Sequence, residues 1–167
     1  MTIEDVNAMD RAAFIETFGE LYEHSPWIVE ETAGLGPFRD REHLQTVMTD
    51  VVSNAGEARQ LALLRAHPEL AGKAAMDKTL TDASTAEQAS AGLDRMTPEE
   101  YETFHALNAA YRERFDFPFI ICVRLTDKPG ILKAMRERLE NDRATEFRTA
   151  LGEVSKIVGI RLEEIMS

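Results

Sequence analysis

Two short stretches of the chain hold the residue types that proton-transfer chemistry needs. The first is Leu64-Arg65-Ala66-His67-Pro68-Glu69-Leu70 and the second is Ser84-Thr85-Ala86-Glu87-Gln88. Imidazole is the side chain that changes charge nearest neutral pH. Pro68 biases residue 67 away from the α region, so a helix over about 57–66 is predicted to stop there. A histidine in that place sits at the negative end of the helix macrodipole, which favours its protonated form. Two readings stay open for His67: a group that trades a proton with a ligand, or a capping histidine without chemistry. The second stretch contains two overlapping capping-box patterns, Ser84-x-x-Glu87 and Thr85-x-x-Gln88, which predict a helix start near Ser84. Alternatively, N–H groups exposed at that start bind a polar ligand. Glu87 would then accept ureido or amide N–H groups, and Gln88 would add an amide.

Arg161 is the third candidate. Val154, Ile157, Val158, Leu162 and Ile165 form an apolar stripe at helical spacing, and Arg161 falls inside it. A guanidinium in that position needs an acidic partner or a carboxylate ligand, unless it snorkels from the edge of the stripe. Other groups offer less. Glu102-x-x-His105 has the spacing of half a di-iron bundle motif, but the chain has no second copy. His24 and His43 lack companions at metal-ligand spacing. Cys122 lies inside an apolar run, where a thiol is inert rather than nucleophilic. No dinucleotide fingerprint, P-loop or nucleophile elbow is present.

The elements that must position these residues read almost wholly as helices. Asp10 caps a helix carrying Phe14, Phe18 and Leu21, predicted to reach about Ser25, and Pro26 opens a second helix at its first position. Gly34-Leu35-Gly36-Pro37 is a loop. Asp40 caps a helix with Leu44, Met48 and Val51 on one face, and Ala55-Gly56 breaks before the helix that ends at His67. Residues 71–82 are either helix or ordered loop, and a helix follows over about 84–93. Thr97-Pro98-Glu99-Glu100 combines a cap hydroxyl, a proline at the first helical position and a capping-box glutamate. Tyr101, Phe104, Asn108, Tyr111 and Phe115 continue that helix. Phe117 to Val123 is apolar without alternation, a buried extended segment with no partner strand. Its peptide groups must therefore find helix ends, side chains or a ligand. Further helices are predicted from Lys128 to about Glu140 and, after the turn and cap at Asn141-Asp142, from about Arg143 to Met166. The expected architecture is an all-α, single-domain bundle of seven to nine helices spanning 1–167, a length sufficient for a sizeable core.

Composition narrows the function classes. Nineteen Lys and Arg against thirty Asp and Glu give a net charge of −11, and no dense basic cluster occurs. That balance argues against nucleic acid and against anionic membrane surfaces as partners. An anionic substrate would need a local cation. The single cysteine excludes an intrachain disulfide and fits a reducing compartment. No apolar run approaches the roughly eighteen residues of a membrane span. Met1 to Asp5 lacks the basic and apolar regions of a secretory signal, and the last residues are not a peroxisomal address, so the expected location is cytoplasmic.

Taken in order along the chain, these motifs resemble OHCU decarboxylase, where OHCU is 2-oxo-4-hydroxy-4-carboxy-5-ureidoimidazoline. The resemblance rests on His67-Pro68-Glu69-Leu70-Ala71-Gly72-Lys73, on Ser84 to Gln88 with Ala91-Gly92-Leu93, and on Phe115-x-Phe117-Pro118-Phe119-Ile120-Ile121-Cys122-Val123. Phe18-Gly19-x-Leu21-Tyr22-Glu23-His24-Ser25-Pro26-Trp27 and the closing helix with Glu153-Val154 and Arg161-Leu162 extend it over nearly the whole chain. It implies a cofactor-free, all-helical enzyme of urate breakdown, typically a homodimer, that converts OHCU to (S)-allantoin with loss of carbon dioxide. It implies that His67 is the catalytic histidine, with Glu87 beside it in the chemistry. It also implies substrate contacts from Pro68, from Ser84, Thr85, Ala86, Glu87 and Gln88, from Phe119, Ile120, Ile121, Cys122 and Val123, and from Arg161. Two other readings compete: a helical interaction module without catalysis, and a di-metal bundle.

Overall fold

The computed structural model describes residues 1–72 and 80–167. Among them, regular structure consists of nine α-helices and one 3-10 turn, with no strand. The helices are α1 (Ile3–Asn7), α2 (Arg11–Phe18), α3 (Trp27–Thr32), α4 (Arg41–Asn54), α5 (Glu57–Ala66), α6 (Asp82–Ser90), α7 (Pro98–Phe115), α8 (Lys128–Arg138) and α9 (Arg143–Met166), with the 3-10 turn at Val123–Leu125. The all-α expectation holds. Lys73 of the family-like motif, and most of the undecided stretch 71–82, lie outside the described residues. The chain divides into two compact units, one formed by Met1–Ala66 with Ser155–Ser167 and the other by His67–Val154.

In the first unit, Asp10 and Asp40 cap α2 and α4 as their positions require, accepting from the N–H groups of Ala13 and His43 at 2.8 and 2.7 Å. α3 packs against both α2 and α4. Phe14, Phe18, Ile28, Leu44, Met48, Leu63, Leu64, Val158 and Leu162 are buried. Two boundaries differ from expectation. α2 stops at Phe18 rather than near Ser25, with Gly19 as its C-cap, a residue that lowers helix propensity. Leu21 is nonetheless buried, because a turn rather than a further helical turn carries it inward. Pro26 is the N-cap of α3 rather than its first helical residue. In α9 the buried stripe is Val154, Val158 and Leu162, while Ile157 is half-buried and Ile165 exposed. α9 also lies close to α4: a Cβ added at Gly159 would come within 2.9 Å of the Gln45 amide, which donates to the Ser155 carbonyl.

In the second unit, α7 begins as its sequence demands. Thr97 accepts from the Glu100 N–H at 3.1 Å, and the Glu100 carboxylate accepts from the Thr97 N–H at 3.0 Å. Thr97→Ala removes half of this box and is expected to lower stability by about 1 kcal/mol in urea denaturation. α7 ends at Asp116, which adopts the left-handed region with φ +65°. From there the chain enters the extended segment. Tyr111, Phe115, Phe117 and Phe119 are almost fully buried. Tyr111 meets Phe115 at 4.6 Å and stands edge-on to Phe119 at 5.2 Å between ring centroids, a geometry aromatic rings favour. α8 packs on α7 and the 3-10 turn packs on α6.

Candidate active site

α5 ends at Ala66, and His67 is the first residue beyond it, as Pro68 dictates. His67 is 7% exposed. The loop that follows turns through Ala71, whose φ of +53° is unusual for a residue with a Cβ. The surrounding helices hold it there. The Ala71 N–H donates to Gln88 Oε1 at 3.0 Å, the Leu70 carbonyl accepts from Asn108 Nδ2 at 2.8 Å, and the Glu69 carboxylate pairs with Arg112 at 3.1 Å. α6 and α7 thus fix the loop after His67 by three side chains.

The capping-box reading of 84–88 does not hold. α6 starts two residues earlier, at Asp82, because Thr81 is the cap and accepts from the Ser84 N–H. With the start of the helix already satisfied, Ser84, Glu87 and Gln88 sit at i, i+3 and i+4 on one face. All three are buried. Thr85 and Ala86 lie on the exposed side. A buried stripe made of a hydroxyl, a carboxylate and an amide is costly unless each group is hydrogen-bonded. It marks a polar interior rather than an anion-binding helix start.

The segment after Phe117 forms neither strand nor helix before the 3-10 turn, in keeping with a buried run that has no partner strand. Phe119, Ile120, Cys122 and Val123 are buried, and Ile121 is half-buried. Side chains satisfy part of its backbone. The Ile120 carbonyl accepts from Arg138 Nη1 at 2.7 Å, and the Cys122 N–H donates to Glu153 Oε1 at 3.3 Å. Burial pushes the Cys122 thiol above its ordinary range, and the carboxylates of Glu153 and Glu87 push it further. Cys122 should therefore resist alkylation by iodoacetamide near neutral pH. Mass spectrometry is expected to show labelling at least about tenfold slower in the folded protein than in the denatured chain.

His67, Pro68, Ser84 to Gln88 and Phe119 to Val123 all belong to the second unit, whereas Arg161 belongs to the first. Arg161 is 6% exposed. Its Nη2 meets Glu23 Oε1 at 2.8 Å, and its Nη1 donates to the Leu21 carbonyl at 3.2 Å. The acidic partner that an arginine in an apolar stripe requires is thus supplied from the turn after α2. Glu102 and His105 are exposed on α7. Among the described residues, no group of three or more His, Cys, Asp or Glu side chains is arranged to hold a metal. The roles of Asn108, Arg138 and Glu153 were not visible in the sequence. Asn108 offered one signal, a polar residue at a core position of α7.

A family model described as OHCU decarboxylase matches residues 7–163. The chain belongs to the OHCU decarboxylase family. Curated relatives named 2-oxo-4-hydroxy-4-carboxy-5-ureidoimidazoline decarboxylase include two proteins that match almost end to end. The one from Haloferax volcanii is 46% identical over 167 residues, covering 100% of this chain and 97% of the relative. That from Halalkalicoccus jeotgali is 45% identical over 165 residues, covering 99% and 92%. A crystal structure of (S)-allantoin synthase superposes with a TM-score of 0.79 at 28% identity, covering 99% of this chain and 54% of that one.

Proposed function

We propose that the protein decarboxylates OHCU to (S)-allantoin in urate catabolism, without a cofactor, with His67 as the proton-transfer residue. The observation that carries this reading is the alignment, over at least 165 residues, with relatives named for that decarboxylation. The substrate bears a carboxylate and a hydroxyl on one carbon, next to an imine-like carbon that carries the ureido group. When the bond to the carboxylate breaks, carbon dioxide leaves and the electron pair flows into the adjacent conjugated system. The former imine nitrogen takes up a proton, and a proton is delivered to one face of the ureido-bearing carbon as the hydroxyl gives up its own and becomes the carbonyl of the product. His67 contacts the hydroxyl or carboxylate and manages proton transfer. Glu87 accepts N–H groups of the ureido or ring and fixes the orientation, which lowers the entropic part of the barrier. Gln88 is proposed to bind ureido or ring groups alongside Glu87, while its amide oxygen also accepts the Ala71 N–H and so holds the loop after His67. Pro68, Ser84 and the backbone of 119–123 line the substrate. Thr85 and Ala86, on the exposed side of α6, are also proposed to contact the substrate.

Arg161 is proposed to contact a carbonyl or hydroxyl oxygen rather than the carboxylate. A firm grip on the carboxylate would stabilise the ground state and slow its loss. We further propose a cytoplasmic homodimer, for which sedimentation equilibrium gives the mass. None of the described helices is long and apolar enough to cross a membrane.

The test generates OHCU in place from urate with urate oxidase and hydroxyisourate hydrolase, and follows circular dichroism with and without the protein. Rapid appearance of optically active (S)-allantoin is the expected result. Racemic product formed at the uncatalysed rate, from folded protein, would overturn the proposal in favour of a non-catalytic helical module.

A further inference from the structure

We propose that Arg138 is a positioning residue for this reaction. It ties down the interior edge of the 119–123 segment so that the opposite edge, at Ile121, stays open to an amide or ureido group of the substrate. The inference rests on the decarboxylase reading above. In an extended chain, successive residues direct their N–H and C=O groups to opposite edges. Ile120 and Cys122 are therefore anchored through one edge, and Ile121 presents the other. Both anchors are charged side chains: Arg138 Nη1 on the Ile120 carbonyl at 2.7 Å and Glu153 on the Cys122 N–H at 3.3 Å. Among the described residues, neither the N–H nor the C=O of Ile121 has a hydrogen-bond partner. Ile121 is also less buried than Ile120 and Cys122 on either side. A donor and an acceptor on one residue of an open edge match the N–H and C=O of an amide or ureido group, in the way an added strand is recognised.

Arg138 is built to hold this edge rather than only to balance charge. Its Nε donates to Glu146 Oε1 at 2.7 Å, and Glu146 is 0% exposed. Glu146 is itself fixed by the Tyr111 hydroxyl at 2.7 Å and by Asn141 Nδ2 at 3.0 Å. The guanidinium lies 4.3 Å from the centroid of the Phe119 ring, in the segment it anchors. Its remaining nitrogen, Nη2, is buried with no hydrogen-bond partner among the described residues. Buried ion pairs contribute little net stability compared with apolar packing. The directed bond to Ile120 is what this one gains. An ammonium lacks the fork that reaches a carboxylate and a carbonyl from one rigid plane.

Arg138→Lys tests this, with kcat and KM for OHCU measured per folded molecule and the folded fraction taken from circular dichroism at the assay temperature. The expected result is a kcat/KM at least tenfold below wild type, with the loss mainly in kcat. A purely structural arginine would lower the folded fraction and leave kcat/KM per folded molecule unchanged, and that result would overturn the proposal. Should Arg138→Lys not fold, Glu146→Gln decides in the same terms, because it withdraws the counter-charge that orients Arg138 without touching the segment. Failure of both variants to fold would assign the network to stability and also overturn the proposal. Folded wild-type protein without activity on OHCU would instead overturn the decarboxylase reading, and this inference with it.

Discussion

His67→Asn is expected to remove enzyme-dependent formation of (S)-allantoin while leaving the helical fold intact. Asparagine keeps an amide donor and acceptor of similar reach but has no group that titrates between about pH 5 and 8. General acid–base catalysis by a positioned side chain contributes on the order of 10²–10⁴-fold. Turnover should therefore fall by at least about two orders of magnitude, toward the spontaneous rate. The fold should persist because His67 does not make the boundary it occupies. Pro68 forces the end of α5. The loop beyond is fastened by Gln88, Asn108 and Arg112. Far-ultraviolet circular dichroism of the variant should overlay that of wild type, and the coupled urate assay should show racemic product. A folded His67→Asn protein that turned over at the wild-type rate would remove His67 from the mechanism. Glu87→Gln is the natural companion, because it retains shape on the same buried stripe while withdrawing the carboxylate.

The site was legible where local rules decide the structure and illegible where tertiary partners do. Thr97-Pro98-Glu99-Glu100 is a local instruction, and α7 starts there. Asp40 and the turn at Asn141-Asp142 act in the same way, with Asp142 accepting from the Thr145 N–H at 2.7 Å. At 84–88 a local rule misled. Ser84 and Glu87 have capping-box spacing, but Thr81 takes the cap, and the true significance of that spacing is a shared buried face. The rule was valid, and another residue satisfied it first. Arg161 could be flagged from its stripe because any buried guanidinium needs an acid. Its partner, Glu23, lies 138 residues away in sequence, and no periodicity points to it. Glu146 was hidden for a similar reason: it is fully buried yet reads as an ordinary first-turn acid of α9. Only Tyr111, Arg138 and Asn141, brought together by the fold, explain why it is inside. The extended run at 117–123 is the intermediate case. Its composition showed that its peptide groups would need partners, while the identity of those partners, Arg138 and Glu153, required the structure.

Arg161→Met should be among the most destabilising single substitutions in the chain. It leaves the Glu23 carboxylate, 2% exposed, without its guanidinium. Breaking a buried pair from one side costs about 3–5 kcal/mol. For a chain of this size that corresponds to a fall of roughly 6–20 °C in Tm. The single variant therefore cannot separate a substrate contact from a structural one, because a protein that melts early loses activity for either reason. The double variant Arg161→Met with Glu23→Leu separates them. Replacing both members of a buried pair with apolar side chains of similar volume is often neutral or stabilising. Most of the lost Tm should therefore return, with a coupling energy on the order of a few kcal/mol in the double-mutant cycle. Activity need not follow. If Arg161 binds a substrate oxygen, the double variant remains impaired in kcat/KM for OHCU at a temperature where it is fully folded. If the guanidinium serves only Glu23 and the Leu21 carbonyl, kcat/KM recovers together with stability. Recovery of both would confine Arg161 to the turn after α2 and leave the chemistry to the groups that begin at His67.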